Sequence, residues 1–214
     1  EVVVAGGVEA LSTAPWRIAR PRSLFQTPHF IRPEPAGAPP MAEHVPLKSL
    51  EALAERLGIT RAEQDAWTLT SHAKATEARE ARRFVGEIVP LRSTTEEARD
   101  QSAVGPDAHD LAELDPISGE HGTLTVANIS TLHDGAAFVV AVSEAAWERP
   151  GRPPALKPVL HAALGVAPGQ EAEAPMAAVQ KLWGRSNGLD RGAISVFELS
   201  EASAVQAIAL CRQF

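Results

Sequence analysis

The stretch "GTLTVANISTLHDGAA", Gly122 to Ala137, crowds Asn128, Ser130, His133, Asp134 and Gly135 between two apolar runs. Reversing a chain takes about two to five residues, with Gly or Asn where φ is positive. The surplus of amide, hydroxyl and carboxylate groups makes this bend a candidate binding site. Asn128 and Asp134 can hydrogen-bond their own backbone and stiffen a turn. Gly135 offers a freedom in φ that other residues reach only with strain. Ser130 could then meet a ligand, yet every one of these residues also suits a turn that touches nothing.

Other chemistry-bearing residues narrow the field. Cys211 is the only cysteine, so there is no disulfide framework and no cysteine-based metal site. A nucleophilic thiol needs a lowered pKa and a neighbouring base. Cys211 follows the apolar run Ala207-Ile208-Ala209-Leu210 and reads instead as a small buried hydrophobe. The histidines, among them His29, His44, His72, His109, His121 and His161, lack metal-ligand spacing, and no metal is expected.

The elements that must position these groups come from an ordinary globular composition of 44% apolar and 22% charged residues. At 214 residues the chain makes one large domain or two small ones. A net charge of -7 without a polybasic block argues against nucleic-acid binding. No apolar run approaches the roughly 20 residues of a membrane span, so no membrane contact is expected. A lone cysteine fits a reducing, cytoplasmic setting. The chain opens on the strand-like Val2–Ala5 and stops in a helical pattern at Phe214, so it reads as a piece of something longer.

Val2–Ala5, closed by Gly6-Gly7, has the look of a buried strand. Prolines from Pro15 to Pro46 forbid a helix there and imply an extended loop, with Trp16, Phe25, Phe30 and Ile31 as apolar anchors. Leu47, Leu50, Leu53, Ala54 and Leu57 recur at helical spacing before Gly58, a natural helix stop. Thr60-Arg-Ala-Glu63 is a capping box. It opens a helix to about Arg82, with Ala62, Ala66, Leu69 and Ala73 on the inner stripe. Phe84 to Leu91 suggests a short extended exit, and residues 92–121 are polar and irregular. Strands are expected at Thr123–Val126, Ala136–Val142, Leu156–Ala163 and, buried, at Ala193–Leu199. Helices are expected at Pro175–Ser186 and from Ala204. Alternating helices and apolar strands predict an α/β architecture with the first helical pair as an inserted lobe.

Five segments, in order, carry a family likeness. "VVVAGGVEALSTAPW", "LGITRAEQDAWTLTSHAKA", "FVGEIVPL", "GTLTVANISTLHDGAA" and "FELSEASAVQA" resemble successive motifs of the thiolases, which join or split acyl groups on coenzyme A. The resemblance implies part of a thiolase fold, mixed five-stranded sheets with helices and an inserted, mainly helical loop domain. It places the end of the N-terminal core half at 1–14 and the CoA-binding loop domain at 15–121. Return strands of that core half follow at 122–148, and the C-terminal half starts at 149–214. The implied ligand is a CoA thioester used as substrate, with no permanently bound cofactor. A homodimer is implied, or a heteromeric partner.

By the same resemblance Ser130 lies beside the pantetheine arm of CoA, and Ala202 and Ser203 also face substrate. Ser200 falls where thiolases carry the Asn that orients a water at the enolate oxygen, an electrostatic role. Here a shorter hydroxyl replaces an amide, and Ser203 replaces a Phe. Ser200 and Ser203 also suit helix capping alone. The nucleophilic Cys, catalytic His and second Cys of the family fall outside residues 1–214. Thiolase-type acyl transfer in the intact protein is one reading. A degenerate thiolase-like protein that binds acyl-CoA or supports a partner subunit is the other.

Overall fold

The computed structural model describes residues 1–30, 46–89, 100, 107–130, 133–149, 151, 153–186, 188 and 190–213. Ile31, His44, Leu91 and most of the 92–106 stretch, including Val104, lie outside them. By contact the chain forms two compact units, residues 1–42 with 131–161, and residues 43–130 with 162–214.

The first unit is built on an antiparallel ribbon. β1 (Val2–Glu9) pairs along its whole length with β2 (Gly135–Val142), from Val2↔Val142 to Glu9↔Gly135. The expected strand at 2–5 thus continues through both glycines. Gly6 stands opposite Phe138, and a Cβ there would lie 2.3 Å from the Phe138 ring and 2.4 Å from the Ala137 carbonyl. The aromatic ring takes the space that the missing side chain leaves. The strand is not buried as expected: Val2, Val3, Val4 and Phe138 to Val140 are 54–67% exposed. A two-stranded ribbon leaves both of its faces open. A short helix, α4 (Glu144–Trp147), follows β2. In the proline-rich loop, Ile18 bridges Phe30, and the Trp16 and Phe30 rings meet edge to face at 5.5 Å. Phe25, expected as an anchor, is 98% exposed among the described residues.

The second unit is helical. α1 (Pro46–Leu57) starts on a proline, whose missing N–H would be orphaned there anyway. It stops at Gly58, at φ +61°, where Gly58 N–H donates to Glu55 O and Ile59 N–H to Ala54 O. That pair is the Schellman arrangement, and Ile59 and Ala54 are both in the core. α2 (Arg61–Glu80) opens on the Thr60–Glu63 capping box as expected. Its buried side is different from the expected one. Gln64 and Thr68 are buried with Trp67 and Ser71 beside them, while Ala62, Ala66 and Ala73 face outward. Across that stripe Gln64 Nε2 donates to the Thr123 hydroxyl and the Ser71 hydroxyl to Glu201, while the Thr68 hydroxyl donates back to Gln64 O.

α3 (Ala108–Ala112), within the stretch read as irregular, is started by a capping box of Asp107 and Asp110. Arg61 holds its C-terminal end, donating to Leu111 O at 2.5 Å and, just past the helix, to Leu114 O at 3.2 Å. α5 (Ala174–Arg185) carries Pro175 in its first turn, and α6 (Ala204–Gln213) is the most buried element. Val205, Ile208 and Ala209 join Leu53, Ala54, Ile59, Leu124 and Ala172 in one core. Cys211 lies on the outer side of α6 and is exposed, contrary to its reading as a buried hydrophobe. No helix among the described residues is long and apolar enough to cross a membrane.

Several expected strands are not strands. Phe84–Ile88 is a succession of turns, with Val85 N–H donating to Arg82 O and Glu87 N–H to Phe84 O. Thr123–Val126, Leu156–Ala163 and Ala193–Leu199 form no ladder among the described residues. Val196 is 74% exposed and Phe197 45%, so the last of these is not buried either. An apolar run becomes a strand only when a neighbour accepts its hydrogen bonds.

Candidate functional site

The bend that begins at Gly122 is not a hairpin between two strands. Its first part, through Ser130, folds with the helical unit, and Gly135 begins β2 in the ribbon. Gly135 is not among the residues with positive φ, so the conformational freedom expected of it is not used. Asp134 is bound instead to the turn that follows β1. It accepts Ser12 N–H at 2.9 Å and the Ser12 hydroxyl, and these bonds hold its carboxyl below the usual carboxylate range. Its effect is to fasten the turn after β1 to the start of β2.

Asn128 stiffens the bend as its residue type suggests. Its side chain is 3% exposed. Oδ1 accepts Thr125 N–H at 2.8 Å, and Nδ2 donates to Thr123 O at 3.0 Å. Both bonds stay within the bend and hold residues 123–128 in one conformation. Thr125, wholly buried, adds a bond from Ala127 N–H to its hydroxyl.

The outer limb of the bend is clasped to the start of α6. Ile129 bridges Ser203 in antiparallel fashion. Ser130 N–H donates to Ala202 O, and Ala204 N–H to Asn128 O, each at 2.9 Å. The second of these satisfies one of the N–H groups that every helix start leaves orphaned. The structure therefore brings together Asn128, Ser130, Ala202 and Ser203, which lie far apart in sequence. Ser130 and Ala202 are exposed. Ser203 is 1% exposed, and its hydroxyl accepts Gln206 N–H at 3.2 Å as the cap of α6. Ser200 is exposed and precedes the clasp, its carbonyl accepting Ala202 N–H at 2.7 Å.

Three further groups support this face. Glu201 accepts the Ser71 hydroxyl of α2 at 2.7 Å, which ties α2 to the 200–202 loop. Gln64, wholly buried, donates to the Thr123 hydroxyl at 2.9 Å. Glu51 of α1 accepts from the Ser118 hydroxyl, from Thr123 N–H and hydroxyl, and from Leu124 N–H. Sequence reasoning passed over all three. The signal was present: Glu51 falls on the row of Leu47 and Ala54, and Gln64, Thr68 and Ser71 recur at helical spacing.

The resulting surface offers a hydroxyl, a methyl and exposed Val126, with few charges on the bend itself. Such a face suits a slender ligand with a few amide or hydroxyl groups between apolar segments. Elsewhere, Asp107, His109 and Asp110 bring possible ligand atoms within 4.8 Å of one another on the surface. The two carboxylates are already engaged in capping α3. The 21–28 loop borders an open depression that shares no residue with the bend.

Residues 1–145 match the family model described as "Thiolase, N-terminal domain". The chain is 34% identical to a beta-ketoadipyl-CoA thiolase of Pseudomonas aeruginosa, over all of this chain and 56% of that protein. It is 30% identical to an acetyl-CoA acetyltransferase of the same organism, over all of this chain and 57% of that one. Among solved structures, a Bacillus anthracis acetyl-CoA acetyltransferase superposes with TM-score 0.83 at 29% identity, covering 100% of this chain and 56% of that chain. A thiolase from Ascaris suum in complex with coenzyme A gives TM-score 0.82 at 29% identity, covering 99% and 56%. The chain spans about half the length of the curated relatives it matches. A family model that matches most of these residues, and an α/β fold shared with solved thiolases, place the chain in the thiolase family.

Proposed function

We propose that the protein to which this chain belongs is an acyltransferase acting on acyl-CoA thioesters, by 3-ketoacyl-CoA thiolysis or Claisen condensation. The acyl group is carried on a cysteine outside residues 1–214, in a ping-pong sequence. The observation that carries this reading is the clasp between Ser130 and Ala202, which joins two motifs of the family into one exposed, mostly uncharged face. On that face Ser130 and Ala202 border the pantetheine arm. Ser203 supports the wall from within as the α6 cap, and Ser200 contributes a hydroxyl near the thioester. Asn128 holds the bend, and Asp134 and Gly135 form the entry to β2. The Ascaris suum relative, solved in complex with coenzyme A, supports such a ligand.

The test is to incubate the full-length protein with acetyl-CoA and look for a mass increase of one acetyl group on a cysteine peptide. An acyl–enzyme, followed by product when a second thioester is added, is the expected result. A second reading is favoured by one observation. The residue in place of the family's Phe, Ser203, is turned into the core as a cap. On that reading the protein binds acyl-CoA, or supports a partner subunit, without carbon–carbon chemistry. Calorimetric CoA binding with no acyl–enzyme would select its acyl-CoA-binding form, and absence of both CoA binding and acylation would overturn acyl transfer and acyl-CoA binding alike.

A further inference from the structure

We propose that Glu51 is a positioning residue for the CoA-arm face, holding the bend from behind so that Ser130 meets the ligand in one place. The proposal rests on the function given above. The Glu51 carboxylate uses both oxygens. Oε1 accepts from the Ser118 hydroxyl, from Thr123 N–H at 2.7 Å and from Leu124 N–H at 2.9 Å, and Oε2 accepts from the Thr123 hydroxyl at 2.8 Å. Bonds to an ionised acceptor are the strong class, roughly twice a neutral pair. Four of them converge here on the first residues of the bend and on the turn before it.

From Thr123 the connection to the ligand face is continuous. The Thr123 carbonyl accepts the Asn128 amide, the Asn128 carbonyl accepts Ala204 N–H, and Ser130 N–H donates to Ala202 O. Glu51 itself touches none of the residues that face the ligand. Its influence passes through Thr123 and Asn128. Gly122 confirms how closely the carboxylate approaches. A Cβ there would lie 2.1 Å from the Ser118 hydroxyl and 3.0 Å from Glu51 Oε1. A side chain at 122 would have to displace the Ser118 hydroxyl that donates to Glu51. The helix supplying Glu51 is fixed in turn, because Leu53 and Ala54, 1% and 2% exposed, seat α1 in the core.

Glu51→Ala, Glu51→Gln and Gly122→Ala are made in the full-length protein, with Ser130→Trp as the reference for a blocked face. CoA binding is measured by calorimetry, which returns the affinity and the competent fraction separately. A merely structural role for Glu51 lowers the competent fraction and leaves Kd unchanged. The positioning role raises Kd about tenfold in Glu51→Ala, equivalent to about 1.4 kcal/mol, at unchanged stoichiometry. Glu51→Gln keeps an acceptor for the two backbone amides and is expected to show a smaller rise, as is Gly122→Ala. Wild-type Kd in Glu51→Ala and Glu51→Gln, alongside weakened binding in Ser130→Trp, overturns the proposal and leaves the function standing. If the wild type does not bind CoA, the function fails and the ligand part of the proposal with it, and hydrogen exchange decides only whether Glu51 holds the bend. Faster exchange at the Ser130 amide in the Glu51 variants, with the α6 amides unchanged, then supports it. Unchanged Ser130 protection overturns it. Should Glu51→Ala not fold, Glu51→Gln carries the same comparison.

Discussion

Replacing Asn128 by Ala removes two hydrogen bonds from a residue that is 3% exposed. Each such bond contributes about 0.5–1.5 kcal/mol net, and a buried group left unpaired costs about 1–3 kcal/mol. Thr125, 0% exposed, would be left with its N–H unpaired in the core. The Thr123 carbonyl would lose its donor as well. The sum is roughly 2–4 kcal/mol against the bend, some 30- to 900-fold in the equilibrium for opening it. Hydrogen exchange of the full-length protein, resolved to peptides spanning 122–130, measures this directly. The Thr125 and Ser130 amides are expected to exchange faster by that factor, and those of α5 much less. Asn128→Asp sharpens the test. Above the carboxyl pKa its charge faces the Thr123 carbonyl, whereas its protonated form can donate there. That environment raises the folded pKa above the unfolded value of about 3.9. The Asp variant should therefore approach wild type below that pH and fall behind as pH rises through the folded pKa. If Asn128→Ala changes exchange by less than about threefold, the side chain is not what holds the bend.

Other expectations follow from the same contacts. Gly6→Ala places a Cβ 2.3 Å from the Phe138 ring and should destabilise the β1–β2 ribbon by about 1–3 kcal/mol, read as a lower urea midpoint. Pairing it with Phe138→Ala should recover part of the loss. Burial alone would raise the Glu51 pKa, but bonds from Ser118, Leu124 and Thr123 outweigh it and hold it below the usual glutamate range. A depressed folded pKa contributes stability above the unfolded value of about 4.3 that is lost as pH falls through the folded one. Wild type and Glu51→Gln should thus converge in urea midpoint at acid pH and separate towards neutrality. Ser130→Trp, at an exposed position, should leave the fold intact and raise the CoA Kd at least about tenfold. Cys211 should be alkylated in the native protein, as shown by peptide mass, without loss of CoA binding.

Local rules were legible in the sequence. The leucine spacing of α1, its stop at Gly58, the Thr60–Glu63 box and the last two helices all depend on neighbours within a few residues, and all are present. Asp107 and Asp110 spell the same kind of signal for α3, which polar surroundings obscured. Burial was less legible because it depends on what lies opposite. Ala62, Ala66 and Ala73 of α2 face outward, and the opposite side carries Gln64, Thr68 and Ser71, whose Nε2 and hydroxyls donate to Thr123, Gln64 O and Glu201. Apolar runs at 156–163 and 193–199 look like strands by composition but lack a ladder here. For the candidate site, the surplus of polar residues singled out the bend, and the structure clasps that bend to the start of α6. Its partner, the start of α6 rather than β2, is a long-range contact that spacing does not encode. Glu51 was hidden for the same reason, an acid on an apolar row whose purpose is visible only with Thr123 and Leu124 in place.

A crystal structure of the full-length protein with coenzyme A bound tests the central claim most directly. The account predicts the pantetheine arm in van der Waals contact with Ser130 and Ala202, over an unchanged clasp between them. Coenzyme A seated elsewhere, with Ser130 and Ala202 untouched, would contradict it.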